Sequence, residues 1–388
     1  MATLGDFITI KHGYSFKGTE ITTEDNGVVL VTPGNFAIGG GFKEEKCKFF
    51  NGEYPVEYVL SPDDLIVTMT DLSKDMDTLG YSALIPFSGR TYLHNQRIGL
   101  INIKEESVDK HYLYWFMRTH KYQRTIAGGA SGTTVHHTSP TRICEIEVDF
   151  PDIETQQSIA MILGALDDKI ALNQQINKNL EEQAQAIFDS FYKEATDIVP
   201  FTSLIQVLSG GTPKTTDETF WNGDIPFFTP KDVGSPFTIT TEKYITSAGL
   251  DHCNSRLYPV NTTFVTARGT VGKVSLSGVP MAMNQSCYAL ASDELHPMLT
   301  YFYTLKTVQS LRHKASGAVF DAITISDFKT ETLNRITGEA SSKVLALIAP
   351  MMENVLQNSM ENIRLAATRD ALLPRLMSGE IDVSMIEI

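Results

Sequence analysis

The sequence predicts an α+β protein built as two mixed α/β globules, each followed by a long helix, with the two helices paired as an antiparallel coiled coil about a pseudo-twofold axis. Three observations predict it. The chain repeats itself, each copy opens with short β-rich runs, and each copy closes on a sustained, mostly apolar seam at coiled-coil spacing. The scale agrees, since 388 residues at roughly 150 per domain suggest two or three domains. With 42% hydrophobic and 20% charged residues, the composition is that of a globular protein with real cores.

The repeat is read by sliding the chain over itself. Asp6 to Gly13 (DFITIKHG) overlays Ser203 to Gly210 (SLIQVLSG) at a shift of 197, and Lys17 falls on Lys214. Val67-Thr68 falls on Val265-Thr266 at 198, and Asn95-Gln96 on Asn284-Gln285 at 189. Ala130 to Gly132 falls on Ala315 to Gly317 at 185, and that shift persists through the closing helix. A shift that changes in steps and then locks is the mark of loop deletions in a duplicated unit.

The first globule spans 1–150 and its counterpart 196–337. Both contain short runs rich in β-branched and aromatic residues between Gly, Pro, Asn and Thr, such as Val28–Thr32, Leu65–Thr68, Ile98–Ile103, Phe264–Thr266 and Cys287–Leu290. Antiparallel pairing should dominate. One helix is expected late in each globule, Tyr112 to Ile126 capped by Asp109, and Met298 to Ala315 opened by Pro297.

The spacer helices occupy 151–195 and 338–388, the latter with a C-terminal tail. Between Glu154 and Tyr192 the seam runs Ile159, Leu163, Leu166, Ile170, Asn173, Asn177, Leu180, Ala184, Ile187, Phe191. Its steps alternate four and three, the 3.5-residue average of a coiled coil. The second seam runs Val344, Ile348, Met351, Val355, Asn358, Asn362, Leu365, Arg369, Leu372, Leu376. At ~1.5 Å per residue the first helix is about 58 Å long, too long for the interior of one small globule. Antiparallel pairing sets Asn173 against Asn362 and Asn177 against Asn358, and buried asparagines of this kind fix register. Leu166 alone meets a misfit, Arg369. The alternative puts the asparagines on a solvated flank, with Leu172 or Ile176 in the seam.

Catalytic and metal chemistry finds little footing. Gly269-Thr-Val-Gly272-Lys273 has two residues between its glycines where a phosphate loop needs four, and Val274 follows the lysine. Gly210 to Lys214 fails the same test. No Gly-x-Ser-x-Gly, no His-Glu-x-x-His and no amino-methyltransferase motif is present. Pro62-Asp-Asp64 and Pro151-Asp152 lack the Glu-x-Lys of a nuclease site. His136-His137 resembles a metal pair, but adjacent side chains diverge and the repeat places Asp321-Ala322 there. Cys47, Cys144, Cys253 and Cys287 are widely spaced and suit a reduced compartment, with no structural zinc. The N-terminus lacks a signal-peptide pattern and no stretch is long enough to span a bilayer, so a soluble cytoplasmic protein without membrane contact is expected.

A net charge of −14 excludes a uniformly basic nucleic-acid coat. The acid is unevenly spread. Residues 1–150 carry 14 cations against 19 anions and residues 151–199 carry 3 against 9, whereas residues 200–335 balance at 11 each. Candidate DNA contacts therefore sit on loops. In the first copy they are Lys17, Lys74, Arg90, Tyr92, Asn95, Gln96, Arg97, Thr133 and His136; in the second, Lys214, Arg268, Lys273, Asn284, Gln285, Arg312 and Lys314. Arg and Lys grip phosphates or guanine edges, and Asn and Gln read adenine. Taken alone, these residues suit an ordinary turn and solvated surface cations better than DNA contact.

Several stretches resemble the specificity subunit of Type I restriction–modification systems. Leu204 to Lys214 (LIQVLSGGTPK) is similar to the opening of that family's target recognition domain. Val265 to Val274 (VTARGTVGKV) and Met283 to Ser286 (MNQS) resemble its internal motifs. Asp149 to Gln157 (DFPDIETQQ) resembles the start of its first conserved helix, and Leu372 to Ile381 (LLPRLMSGEI) the end of its second. The first copy departs at Thr68 to Lys74 (TMTDLSK), where the second has TARGT, and the second helix opens with GEASS where a Gln-Gln pair is usual.

The resemblance implies two target recognition domains, each reading half of an asymmetric, split site on double-stranded DNA. It implies a helical ruler between the halves and no catalysis on this chain. Two modification subunits would methylate adenine with S-adenosylmethionine, and two motor-nuclease restriction subunits would use ATP and Mg, so the cofactors belong to partners and none to this chain. The alternatives are a non-catalytic coiled-coil adaptor, or the recognition subunit of another modification system without a nuclease. A methyltransferase or nuclease acting alone would need motifs that the sequence lacks.

Overall fold

The computed structural model describes residues 2–45, 47–71, 73, 75–132, 135–234, 236–314 and 322–383. The chain folds as two compact units, Met1–Asp168 with Leu365–Ile388, and Lys169–Arg364. These differ from the four consecutive segments 1–150, 151–195, 196–337 and 338–388. Antiparallel helices bring the start of one beside the end of the other, so each unit takes part of both.

In the first unit a four-stranded antiparallel sheet runs Ile8–His12, Ile98–Ile103, Leu65–Thr68, Ser82–Leu84. Every residue of Leu65–Thr68 is buried, which is why that strand, LIVT, shows no alternation of apolar and charged residues. A five-stranded sheet beside it contains the parallel pair Val28–Val31 and Thr91–His94. The second unit repeats this order as Gln206–Ser209, Cys287–Ala291, Thr263–Thr266, Val274–Ser277, with Phe237–Thr238 added in parallel at the edge. Its smaller sheet again holds a parallel pair, Trp221–Phe228 with Ala282–Met283. Matching strands in matching order are what a duplicated sequence must build.

One expected helix is two. Asp109 caps as anticipated, its Oδ1 accepting from the Tyr112 amide at 2.8 Å, but that helix, Lys110–Phe116, stops early. Thr119 then accepts from the Tyr122 amide and opens a second helix, His120–Gly128. A hydroxyl that can cap competes with helix continuation. In the second unit the helix Pro297–Lys314 begins at the expected proline. Its anticipated last residue, Ala315, lies outside the described residues.

The long helices are Ile153–Glu194 (42 residues) and Gly338–Met377 (40 residues). The seam is buried at Ile159, Leu163, Asn173, Asn177, Ala184, Val344, Ile348, Val355 and Leu376. It departs from heptad spacing at two places in the second unit. Phe188 is fully buried beside Ile187 and Phe191, which are half-buried against the same core, and Met352 is buried beside a half-buried Met351. Each lies four residues beyond the preceding buried seam residue, Ala184 or Ile348, and joins the core of the globule. Phe188 there stacks on Phe302 at 5.2 Å and meets Tyr303 edge-on at 5.2 Å. In the first unit Ile159 and Leu163 join the core of Leu113, Trp115, Tyr122, Leu373 and Leu376.

Candidate nucleic-acid interface

The same turn is built in both units. Gly13 and Gly210 close the first strand of each sheet, and a Cβ on either would lie 2.2 Å from a backbone oxygen, that of Asn95 or Asn284 respectively. Only glycine allows that approach. Asn95 Oδ1 accepts from the Arg97 amide at 3.0 Å, and Asn284 Oδ1 from the Ser286 amide at 3.0 Å. Both asparagines therefore spend their acceptors on shaping the turn. Asn95 is buried besides, which corrects its assignment as a base reader. The residues presented at the tips are Gln96 and Arg97 in one unit and Gln285 in the other, all exposed.

In the second unit this turn adjoins residues 266–273, since Ser286 O accepts from the amides of Ala267 and Arg268. The buried Thr266 hydroxyl donates to Thr270 O at 2.5 Å and accepts from the Lys273 amide at 2.9 Å. Gly269 and Gly272 adopt positive φ of 81° and 74° and complete a tight turn. Arg268 and Lys273 project from it, exposed, and among the described residues their side chains have neither a hydrogen bond nor an ion pair. Lys214 is exposed nearby in sequence to Thr212, whose hydroxyl donates to Gln285 Oε1. Exposed cations beside an exposed amide suit phosphate and base contact.

Two proposed contacts of this unit are engaged elsewhere. Arg312 donates to Gly272 O at 2.6 Å and Val271 O at 3.3 Å, so its guanidinium holds the turn. Lys314 pairs at 2.5 Å with Glu331, which is only 3% exposed and needs that cation.

In the first unit Lys17 is exposed and free of side-chain bonds among the described residues, as are Gln96 and Arg97. Arg90 is paired with Asp25 at 2.8 Å. Tyr92 is buried, its hydroxyl donating to Glu44 Oε1 at 2.7 Å, and burial pushes that hydroxyl up to about 12. It is a core residue and cannot reach DNA. His136 is half-buried in a short strand opposite Asp71, while His137 Nδ1 lies 3.1 Å from the Thr70 hydroxyl. Lys74 and Thr133 lie outside the described residues.

Other residues shape this surface without having been anticipated. Burial alone would raise the Asp71 carboxyl, but it accepts from the amides of Ser73 and Thr78 at 2.6 Å each, which hold it below its ordinary value. Tyr14, 42% exposed, bridges to Asn95 and offers an aromatic face where the repeat has Gly211. That replacement is visible in the aligned copies and was the available signal.

The helix seam in the second unit pairs the central asparagines. Asn173 Nδ2 donates to Asn362 Oδ1 at 2.9 Å and to Glu361 Oε2 at 2.7 Å. Asn358 Nδ2 donates to Asn177 Oδ1 at 2.8 Å, and Asn177 Nδ2 to Ser359 Oγ at 3.2 Å. Leu172 and Ile176 are 52% and 38% exposed, on the flank. Arg369, the misfit opposite Leu166, turns to Asp167. Among the described residues no cluster of His, Cys, Asp or Glu is arranged to hold a metal, and no helix is long and apolar enough to cross a membrane.

A family model described as the Type I restriction modification DNA specificity domain matches residues 1–182 and again 194–334. The chain belongs to that family. Among its specificity-subunit relatives is that of the Type I restriction enzyme HindI from Haemophilus influenzae, 25% identical over 78% of this chain and 86% of the relative. Another is the MjaIX specificity subunit of Methanocaldococcus jannaschii, 23% identical over 72% and 71%. The fold is also that of the crystal structure of a Type I restriction–modification S subunit from M. genitalium. The TM-score is 0.63 at 14% identity, covering 96% of this chain and 94% of that one. The two matched stretches follow the two copies of the repeat, so the specificity domain occurs here twice.

Proposed function

We propose that this chain is the DNA sequence-specificity subunit of a Type I restriction–modification complex. The observation that carries the reading is the duplicated turn, which has one backbone in two units but different tips, Gln96 with Arg97 against Gln285, near Arg268 and Lys273. A conserved scaffold with unlike tips suits two half-sites of unlike sequence on double-stranded DNA. The paired helices set the distance between the halves and offer outer faces to two modification subunits. Those subunits carry S-adenosylmethionine and methylate adenine, and two restriction subunits supply the ATP- and Mg-dependent motor and nuclease. This chain performs no catalysis. Its net charge of −14 is tolerable because phosphate gripping is shared with the partners while this chain supplies base contacts. The complex works on DNA in the cytoplasm.

The test is genome-wide methylation mapping in cells expressing the chain with its modification subunit. A split adenine-methylated motif that disappears when this chain is deleted is the expected result. An active modification subunit with no such motif would favour a coiled-coil adaptor.

A further inference from the structure

In each unit a helix side chain reaches a backbone carbonyl of the loop beside the duplicated turn. In the second, Arg312 of Pro297–Lys314 donates to Gly272 O at 2.6 Å. In the first, Gln123 of His120–Gly128 donates to Met76 O at 3.0 Å. Both acceptors have positive φ, 74° at Gly272 and 55° at Met76, and so stand where the chain turns back. The contact at Gly272 is close-fitting, for a Cβ there would lie 2.9 Å from Arg312 Nε. Both loops follow equivalent strands, Thr263–Thr266 and Leu65–Thr68. The repeat thus preserves a strut from helix to loop while its chemistry differs, a guanidinium in one copy and an amide in the other.

We propose that Arg312 and Gln123 are positioning residues for half-site recognition, each fixing the loop of its own unit while touching no base itself. This rests on the function proposed above. Arg312 holds two adjacent carbonyls, Val271 and Gly272, directly before Lys273 and three residues beyond Arg268. A turn so held presents its cations in one geometry, and base discrimination depends on geometry where phosphate attraction does not. The strut therefore acts on selectivity more than on affinity.

The experiment uses the full chain purified with its modification subunit. The wild-type target is first read by methylation mapping, and an absence of any split target would refute the proposed function before any variant is compared. Methylation is then measured on duplexes with the intact target and with single-base substitutions in either half. Arg312→Ala should lower the ratio of intact to substituted methylation about tenfold in one half, the scale of one base contact. The other half, and the slope of DNA binding against salt, should not change. Gln123→Ala should relax the opposite half. Arg312→Gln, with a donor on a shorter arm, should fall between.

Unchanged ratios in both variants would overturn the proposal. So would a uniform loss with the salt slope reduced by about one, which marks a phosphate contact. Should Arg312→Ala not assemble with the modification subunit, Gln123→Ala and Arg312→Gln decide, and relaxation of both halves together by either one would refute a strut confined to its unit.

Discussion

Asn173 and Asn362 meet in the buried helix seam through a 2.9 Å hydrogen bond, and Asn173 is only 1% exposed. An apolar pair at this level would pack more tightly, so the polar pair favours one register over maximal stability. Asn173→Leu alone strands the Asn362 carbonyl against an apolar side chain and should destabilise the second unit by about 1–3 kcal/mol, as urea titration would show. Adding Asn362→Leu should recover much of that loss. The double variant should nevertheless methylate sites of more than one spacer length, and a single unaltered spacer would exclude the register role.

Asp167 lies between two guanidiniums of the first unit, with Arg118 at 3.2 Å and Arg369 at 2.5 Å. Arg118 is buried, 4.3 Å above the Trp115 ring, and also donates to Gly39 O. Asp167→Ala should cost about 2 kcal/mol, less than a fully buried pair because Asp167 keeps some contact with water. Arg369→Met should cost less, since it removes the more accessible partner and leaves Asp167 with Arg118. A chemical-denaturation series that ranks the two the other way would contradict this.

Glu181 of the first long helix lies in the second unit, where burial, and then the neighbouring Glu182, push its carboxyl up to about 7 from 4.5. The folded chain therefore binds this proton more tightly than the unfolded chain. Its contribution is fully present below about 4.5 and is lost as pH rises through 7. Glu181→Gln cannot ionise, so its stability advantage should grow between pH 5.5 and 8.5 by about 1–2 kcal/mol, a figure reduced for partial solvent contact. Urea midpoints at those two values measure it, and a constant gap would exclude the effect.

Much of this fold was legible because its signals are periodic or repeated. The seam from Ile159 to Ala184 follows a heptad, and three strands of each main sheet lie at or directly beside matched stretches of the internal repeat. What the sequence hid depends on contacts between distant residues. The heptad fails at Phe188 because Phe302 and Tyr303, more than a hundred residues away, draw it into the globule. The interface was half legible for a similar reason. Residue type marks Arg268 and Arg312 alike as candidates, yet only three-dimensional placement reveals that Arg312 is occupied by backbone carbonyls. Nor does sequence separate Tyr92, sealed in a core, from Tyr14, which is exposed.

Arg268 and Lys273 leave one turn without side-chain partners among the described residues but differ in what they can do. Arg268 follows Ala267, whose carbonyl accepts from the Ile323 amide and whose own amide bonds Ser286, so the backbone supporting it is fixed on both sides. A planar guanidinium on such a base can make a bidentate contact with guanine, whereas the ammonium of Lys273 is a point charge suited to phosphate. Arg268→Ala should therefore cost about 1–3 kcal/mol on the intact target and little on a duplex already substituted in the half read by this unit. Lys273→Ala should weaken both duplexes equally and lower the salt slope by about one. Binding titrations at several salt concentrations separate the two, and an equal loss on both duplexes for Arg268→Ala would make it a second phosphate contact.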